Sequence, residues 1–205
     1  MTAADVFAQL GAASPVEALA AVAGILYVIL AIVQSRYCWV AGFVSTAIYL
    51  VVFSRSHLYM QAGLQAYYVA AAGYGWWAWR RSADGDSLPV TRVSWRVQGW
   101  GLIAVILASA VSALWLARQT GSRDPYLDSF TTWASLFATW LVIQKKIENW
   151  AWWLVVDGLI LALCWRQALY PSMIMYAFYI GLVIVGWRSW DRDMKRIERA
   201  HGAGA

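Results

Sequence analysis

Long apolar runs separated by short polar turns fill this chain: Val16 to Val33, Cys38 to Phe53, Leu58 to Trp79, Val97 to Leu116, Ser129 to Ile143, Trp150 to Trp165 and Ser172 to Trp187. A helix that is apolar on all sides belongs in a protein core or in lipid, because it has no face to offer water. At about 20 residues per crossing of a roughly 30 Å hydrocarbon layer, the seven runs predict seven transmembrane helices joined by short loops. Breakers fall between them: Gly85 and Pro89 after the third run, Gly121 and Pro125 before the fifth, and Pro171 at the first turn of the seventh, where its missing N–H costs nothing. Asp5 and Glu17, with no Lys or Arg ahead of the first run, are the reverse of a signal-peptide n-region, so that run is expected to stay in the mature protein.

Composition strengthens the membrane reading. Of 205 residues, 61% are hydrophobic and only 13% charged, too little polar surface to cover a soluble globule. Seven spans also leave no room for a separate soluble domain. A net charge of +5 would in a soluble protein raise nucleic-acid binding, but here it reads as topology, and no nucleic-acid partner is expected. Twelve Lys and Arg residues, including Arg36, the Arg80 to Arg96 loop, Lys145, Lys146 and the tail, fall on one side of the predicted membrane, and four on the other. The positive-inside rule therefore puts the C-terminus in the cytoplasm and the N-terminus outside, and membrane lipid is the expected surrounding. The mixed-charge stretch from Asp191 to Arg199 reads as a solvated or headgroup-contacting helical end. Cys38 and Cys164 form no CxxC pair and read as packing residues.

A shift of 111 residues superposes Trp39 on Trp150, Val44 on Val155, Arg55 on Arg166, Tyr68 on Tyr179, Gly75-Trp76 on Gly186-Trp187 and Trp79 on Trp190. Three runs make each unit and the fourth joins them, so both units enter the membrane from the same side. The expected fold is all-α and integral to the membrane, with two parallel three-helix repeats and a linker helix (3+1+3). Its boundaries are an N-terminal segment 1–15, a first repeat 16–80, loops and linker helix 81–125, a second repeat 126–190 and a cytoplasmic tail 191–205. Duplication of this kind builds alternating-access carriers, whose site lies between the repeats.

The polar residues inside the runs point to a ligand. Asp157 is the one acidic residue well inside an apolar run, and a carboxylate there costs roughly 2.5 to 3.5 kcal/mol on insertion scales. It therefore needs a cavity, a partner or a cationic ligand; hydrogen bonds to neighbouring hydroxyls, or a helix-capping role, are the structural alternatives. Trp150, Trp153 and Asp157, at i, i+3 and i+7, lie within about 60° of one helical face. Indole faces attract cations and stack on flat rings, so the set suits a cationic aromatic molecule. In the first unit the same face carries Trp39, Gly42 and Thr46, which breaks the symmetry where an asymmetric ligand would require it. Trp76, Trp77, Trp79, Trp187 and Trp190 read as an interfacial aromatic belt, and Trp150 fits such a belt as well. The third run carries a second stripe, Gln61, Gln65, Tyr68 and Gly75, matched in the seventh by Ser172, Tyr176, Tyr179 and Gly186. A Gln there can bind substrate or tie helices together, whereas Thr132, Ser135 and Thr139 read first as close-packing residues. No catalytic motif, metal cluster or cofactor-binding loop is visible, and the two histidines, His57 and His201, fall in a loop and the tail. A transporter is thus expected rather than an enzyme, with a non-transporting membrane interaction subunit as the alternative.

The segment Glu148-Asn149-Trp150-Ala151-Trp152-Trp153-Leu154-Val155-Val156-Asp157 resembles the Glu-Asn-Trp-x-x-Trp-x-x-x-Asp signature of the PnuC family of bacterial nicotinamide riboside transporters. His57-Leu58-Tyr59, Leu64-Gln65-Ala66-Tyr67-Tyr68 and Gly75-Trp76 are similar to that family's third-span region. The resemblance implies a fold like that of the SWEET sugar carriers, homotrimeric assembly in the bacterial inner (plasma) membrane, and facilitated diffusion of a nicotinamide-type nucleoside. A cytoplasmic kinase would then trap the substrate. By position it makes Trp150, Trp153, Asp157 and Gln65 substrate contacts; Asn149 and, from the two stripes, Gln61, Tyr68, Tyr176 and Tyr179 join them as candidates, with Trp152 a weaker one. Related branches carry thiamine or other nucleosides, and charge alone does not separate thiamine from nicotinamide riboside, since both are fixed aromatic cations.

Overall fold

The computed structural model describes residues 15–55, 59–81, 88–119, 124–166 and 170–202. Seven helices occupy them: α1 (Pro15–Ile32), α2 (Cys38–Arg55), α3 (Tyr59–Arg81), α4 (Trp95–Gln119), α5 (Pro125–Ile143), α6 (Asn149–Arg166) and α7 (Tyr170–Gly202). Each apolar run falls within one helix, apart from Val33, which follows α1, and Leu58, which lies outside the described residues. Pro125 opens α5 as predicted for a residue with no N–H to satisfy. Gly85, Gly121, His57 and the segment before Pro15 lie outside the described residues.

Four helices are long and apolar enough to cross a membrane by length and composition, over Pro15–Ile32, Cys38–Arg55, Trp95–Arg118 and Ser172–Ala200. The chain is a multi-pass membrane protein. Helices α3, α5 and α6 are less apolar because they carry the Gln and Tyr stripe, the hydroxyl series and Asp157, all of which turn inward.

Helices α1, α2 and α3 pack in sequence, as do α5, α6 and α7, while α4 packs on α5. The two triplets meet where α1 touches α7 and where α3 touches α5. Several local features recur at or within one residue of the 111-residue spacing. Gln34 and Lys145 both take a left-handed backbone, with φ of 56° and 47°. The Trp79 indole N–H donates to the Ile143 carbonyl at the end of α5, and the Trp190 indole N–H donates to the Ala31 carbonyl at the end of α1. A methyl group on Gly75 would collide with the Trp39 ring, and one on Gly186 with the Trp150 ring, so each pair of helices approaches through glycine and indole. Lys145 Nζ reaches its own repeat mate, donating to Gln34 Oε1 at 3.4 Å, and sits 4.7 Å from the Trp79 ring centre.

The main apolar core gathers at this end of the bundle, around Trp39, Trp79, Val142, Ile147, Trp150, Val183 and Trp190. Two sequence expectations are corrected here. Trp79 and Trp190 are 3% and 0% exposed, so they are core residues with their N–H groups bonded to helix-end carbonyls, not parts of an interfacial belt. Trp77 and Trp187 remain exposed. The stretch after Trp190 is likewise more than a solvated end, because Met194 is buried in the core and Asp193 accepts a 2.8 Å hydrogen bond from Gln34 Nε2. Tertiary partners one helical turn apart carry α7 well past the apolar run.

A short extended strap, residues 88–94, crosses the turn before α6. Thr91 exchanges backbone hydrogen bonds with Lys145 and Ile147, and Glu148 accepts from the Val93 N–H at 3.0 Å. Trp152 donates to Gln98 Oε1 at 2.9 Å and packs edge-on against Phe137. Helix α6 is therefore held from the α4 side before its opposite face meets the interior.

Candidate functional site

Between the two triplets lies a cavity of about 580 Å³, walled by α1, α2, α3, α5, α6 and α7; among the described residues α4 contributes nothing to it. The volume falls within the roughly 300–1,000 Å³ typical of small-molecule sites. The nine residues expected at a site, Gln61, Gln65, Tyr68, Asn149, Trp150, Trp153, Asp157, Tyr176 and Tyr179, all line it. Helical periodicity explains the convergence. Residues 149, 150, 153, 157 and 160 recur on one face of α6, and the strap, Gln98 and Phe137 hold the other. Trp152 points to that outer side and does not line the cavity.

Asp157 is only 6% exposed, and no hydrogen bond or ion pair from the described residues reaches it. Among the described residues it bonds to no neighbouring hydroxyl, one of the alternatives its sequence position left open. Tyr68, Tyr176 and Tyr179 stand close enough to feel its charge, and Tyr176 and Tyr179 meet edge to face with ring centres 6.1 Å apart. The result is a carboxylate ringed by phenols and indoles, an environment in which an incoming cation meets little competing solvent.

The two signature indoles differ in freedom. Trp150 is 3% exposed, wedged against Gly186 and edge-on to Trp190 at 5.4 Å, so much of its ring serves packing. Trp153 is half-buried and borders both apolar clusters, leaving it the more available wall. Asn149 is fully buried and donates through Nδ2 to the Lys146 carbonyl at 2.6 Å. Thr132, Ser135 and Thr139, expected to be packing residues, also line the cavity. Each hydroxyl donates to the carbonyl four residues back, which leaves its oxygen able to accept.

Tyr27, Trp39, Ser45, Thr46, Tyr49 and Asp128 line the cavity too and were not singled out as site residues. For Trp39 and Thr46 the signal was present, since they are the repeat mates of Trp150 and Asp157. Tyr27 had none: its ring lies against Gly42 and 5.9 Å from Trp39, filling on the first side the place that Trp153, the mate of Gly42, fills on the second. The mate of Tyr27 is Ala138, so the halves exchange a large and a small residue and the cavity loses its symmetry. No cluster of His, Cys, Asp or Glu suited to a metal ion occurs among the described residues.

Residues 14–192 match the family described as nicotinamide mononucleotide transporter. The chain is 30% identical to the nicotinamide riboside transporter PnuC of Neisseria mucosa over 192 residues, covering 87% of this chain and 72% of that one. It is 24% identical to PnuC of Escherichia coli, with 85% and 84% covered. It is also 29% identical to the riboflavin/roseoflavin transporter RibM of Streptomyces davaonensis, with 89% and 87% covered. The crystal structure of a vitamin B3 transporter PnuC superposes with a TM-score of 0.71 at 27% identity, covering 88% of this chain and 82% of that one.

Proposed function

Because the chain belongs to the nicotinamide mononucleotide transporter family, whose members here are transporters and not enzymes, we propose that it carries nicotinamide riboside into the cell by facilitated diffusion with alternating access. One observation carries the choice of a cation: Asp157 is buried in the cavity without a partner among the described residues, beside aromatic rings. A pyridinium nucleoside supplies the missing charge, a flat ring for Trp153 and hydroxyls for Gln61, Gln65 and the tyrosines. Trp150 and Asn149 complete the contact set. For a cation, an inside-negative potential favours entry by about 2.3 kcal/mol per 100 mV, so no coupling ion is required.

The architecture supporting this is two parallel repeats, 16–80 and 126–190, joined by a linker helix within 81–125. The paired φ angles and glycine–indole contacts at an offset of 111, and indole–carbonyl bonds whose acceptors fall one residue off that offset, support it, and all seven helices then cross the membrane. The charge asymmetry supports a tail inside and an N-terminal segment outside the bacterial inner membrane. Homotrimeric assembly and a cytoplasmic kinase that traps the substrate complete the reading.

The relationship to RibM favours a second reading, a flavin as substrate; thiamine is a third, as a fixed cation. Purified protein in liposomes, given labelled nicotinamide riboside, thiamine and riboflavin in parallel with a potassium-diffusion potential, separates them. Uptake of nicotinamide riboside that rises with an inside-negative potential is expected. Uptake of riboflavin alone, insensitive to potential, overturns the cation assignment; binding without flux for every compound would instead mark a non-transporting subunit.

A further inference from the structure

The cavity is plugged at one end of the bundle. Ala31, Val142 and Val183 line it and also belong to the main apolar core, whereas Trp79, Trp190 and Met194 belong to that core and do not line the cavity. At the opposite end Gln61 lines the cavity and is exposed. The plugged end is the one that the charge asymmetry assigns to the cytoplasm, and a molecule leaving there has to part the two triplets.

At that end one carboxamide from the first triplet is inserted between two charges of the second. Gln34, in the turn between α1 and α2, accepts from Lys145 Nζ at 3.4 Å through Oε1 and donates through Nε2 to Asp193 Oδ2 at 2.8 Å. Lys145, in the turn before α6, and Asp193, on α7, both belong to the second triplet. Among the described residues neither makes an ion pair, although only the carboxamide separates them. Lys145 is 8% exposed, and an ammonium so buried is costly unless it is hydrogen-bonded or paired. Gln34 meets that need while the triplets are together. Once Gln34 withdraws, the flexible stem of Lys145 lets the ammonium swing onto Asp193 and pair with it directly. Both arrangements satisfy the charge, and two arrangements of similar energy are what a carrier alternates between.

We propose that Gln34 is a key in a Lys145–Asp193 lock: inserted, its carboxamide holds the triplets together at the plugged end, and on opening it withdraws as Lys145 pairs with Asp193. This rests on the alternating-access reading and deepens it, by naming the residues that set the balance between closed and open at this end. Because the ion pair forms only in the open state, the charge of Asp193 favours opening, even though the carboxylate bonds to Gln34 when the end is closed. A plain brace does the reverse, since removing any member of it loosens the closed end.

Cys38 supplies the readout. Its thiol is fully buried, belongs to the core at this end, and lies close enough to Lys145 of the other triplet to feel its charge. In a Cys164→Ser background Cys38 is the remaining thiol, and its alkylation by a water-soluble maleimide is timed in the detergent-solubilised full chain, with thermal unfolding run alongside. Gln34→Met, which keeps the length and removes the amide, should be alkylated roughly five- to tenfold faster than the background protein. Asp193→Asn keeps an acceptor for Gln34 Nε2 but removes the partner that Lys145 finds on opening, so it should be alkylated roughly three- to tenfold more slowly. Removing a negative charge does not by itself slow a thiolate reaction, so slowing reports the closed end. Faster alkylation in Asp193→Asn overturns the lock and marks a brace; equal rates in all three proteins overturn it too. Asp193→Asn is decisive alone where Gln34→Met does not fold. The carrier reading is tested separately by liposome uptake, so opposite shifts of the two rates support the lock whichever substrate is carried.

Discussion

Replacing Asp157 by Asn changes one atom of the cavity wall and removes its negative charge. The side chain is buried, has no partner among the described residues and lies near Tyr68, Tyr176 and Tyr179, so no ion pair with those residues neutralises its charge and water screens it poorly. Two opposite charges about 6–8 Å apart, at an effective dielectric of about 20, attract by about 2–3 kcal/mol. That predicts a roughly 30- to 150-fold loss of affinity for a pyridinium nucleoside in Asp157→Asn. Asn keeps the shape and an acceptor oxygen, so hydrogen bonding to a ribose hydroxyl is largely retained. Reduced nicotinamide riboside, which carries the same substituents on an uncharged dihydropyridine ring, should lose no more than about threefold. The assay is titration of both ligands into both proteins, with thermal unfolding run alongside to establish that the variant is folded. Equal losses for the charged and uncharged ligands would refute the counter-charge argument and return Asp157 to a structural role.

Trp153→Ala removes the freer indole wall, and nicotinamide riboside should bind roughly five- to thirtyfold more weakly, read by the same titration. Gly186→Ala drives a methyl group into the Trp150 ring and should cost about 1–3 kcal/mol, a fall of several degrees in unfolding midpoint, whereas Gly158→Ala, with nothing within 4 Å, should leave the midpoint unchanged or slightly raised. An unchanged midpoint in Gly186→Ala would show that α6 and α7 do not approach through that glycine. A reporter active only in the cytoplasm should be active when fused after Ala205 and silent when fused before Thr2; the reverse pattern refutes the orientation drawn from charge.

Helix number and the line of cavity residues on α6 were legible in the sequence because each rests on a local quantity. Apolar length fixes a membrane helix, and a period of 3.6 fixes which of Asn149, Trp150, Trp153 and Asp157 share a face. A constant offset of 111 is visible without knowing what the helices touch. Burial of the tryptophans was not legible. Trp79, Trp187 and Trp190 look alike near the ends of apolar runs, and only the carbonyls of Ile143 and Ala31, brought in from the other triplet, make Trp79 and Trp190 core residues while Trp187 stays exposed. Tyr27 entered the cavity wall because Gly42 left space for its ring, a complementarity between α1 and α2 that no single-helix pattern encodes. The sequence by itself determined the helices and which residues of α6 share one face. Only the packing of one triplet against the other decided that Asp157 and the Trp39, Asn149 and Trp150 polar atoms would be left without partners, because an unmet hydrogen bond depends on the groups opposite and not on the chain that bears it.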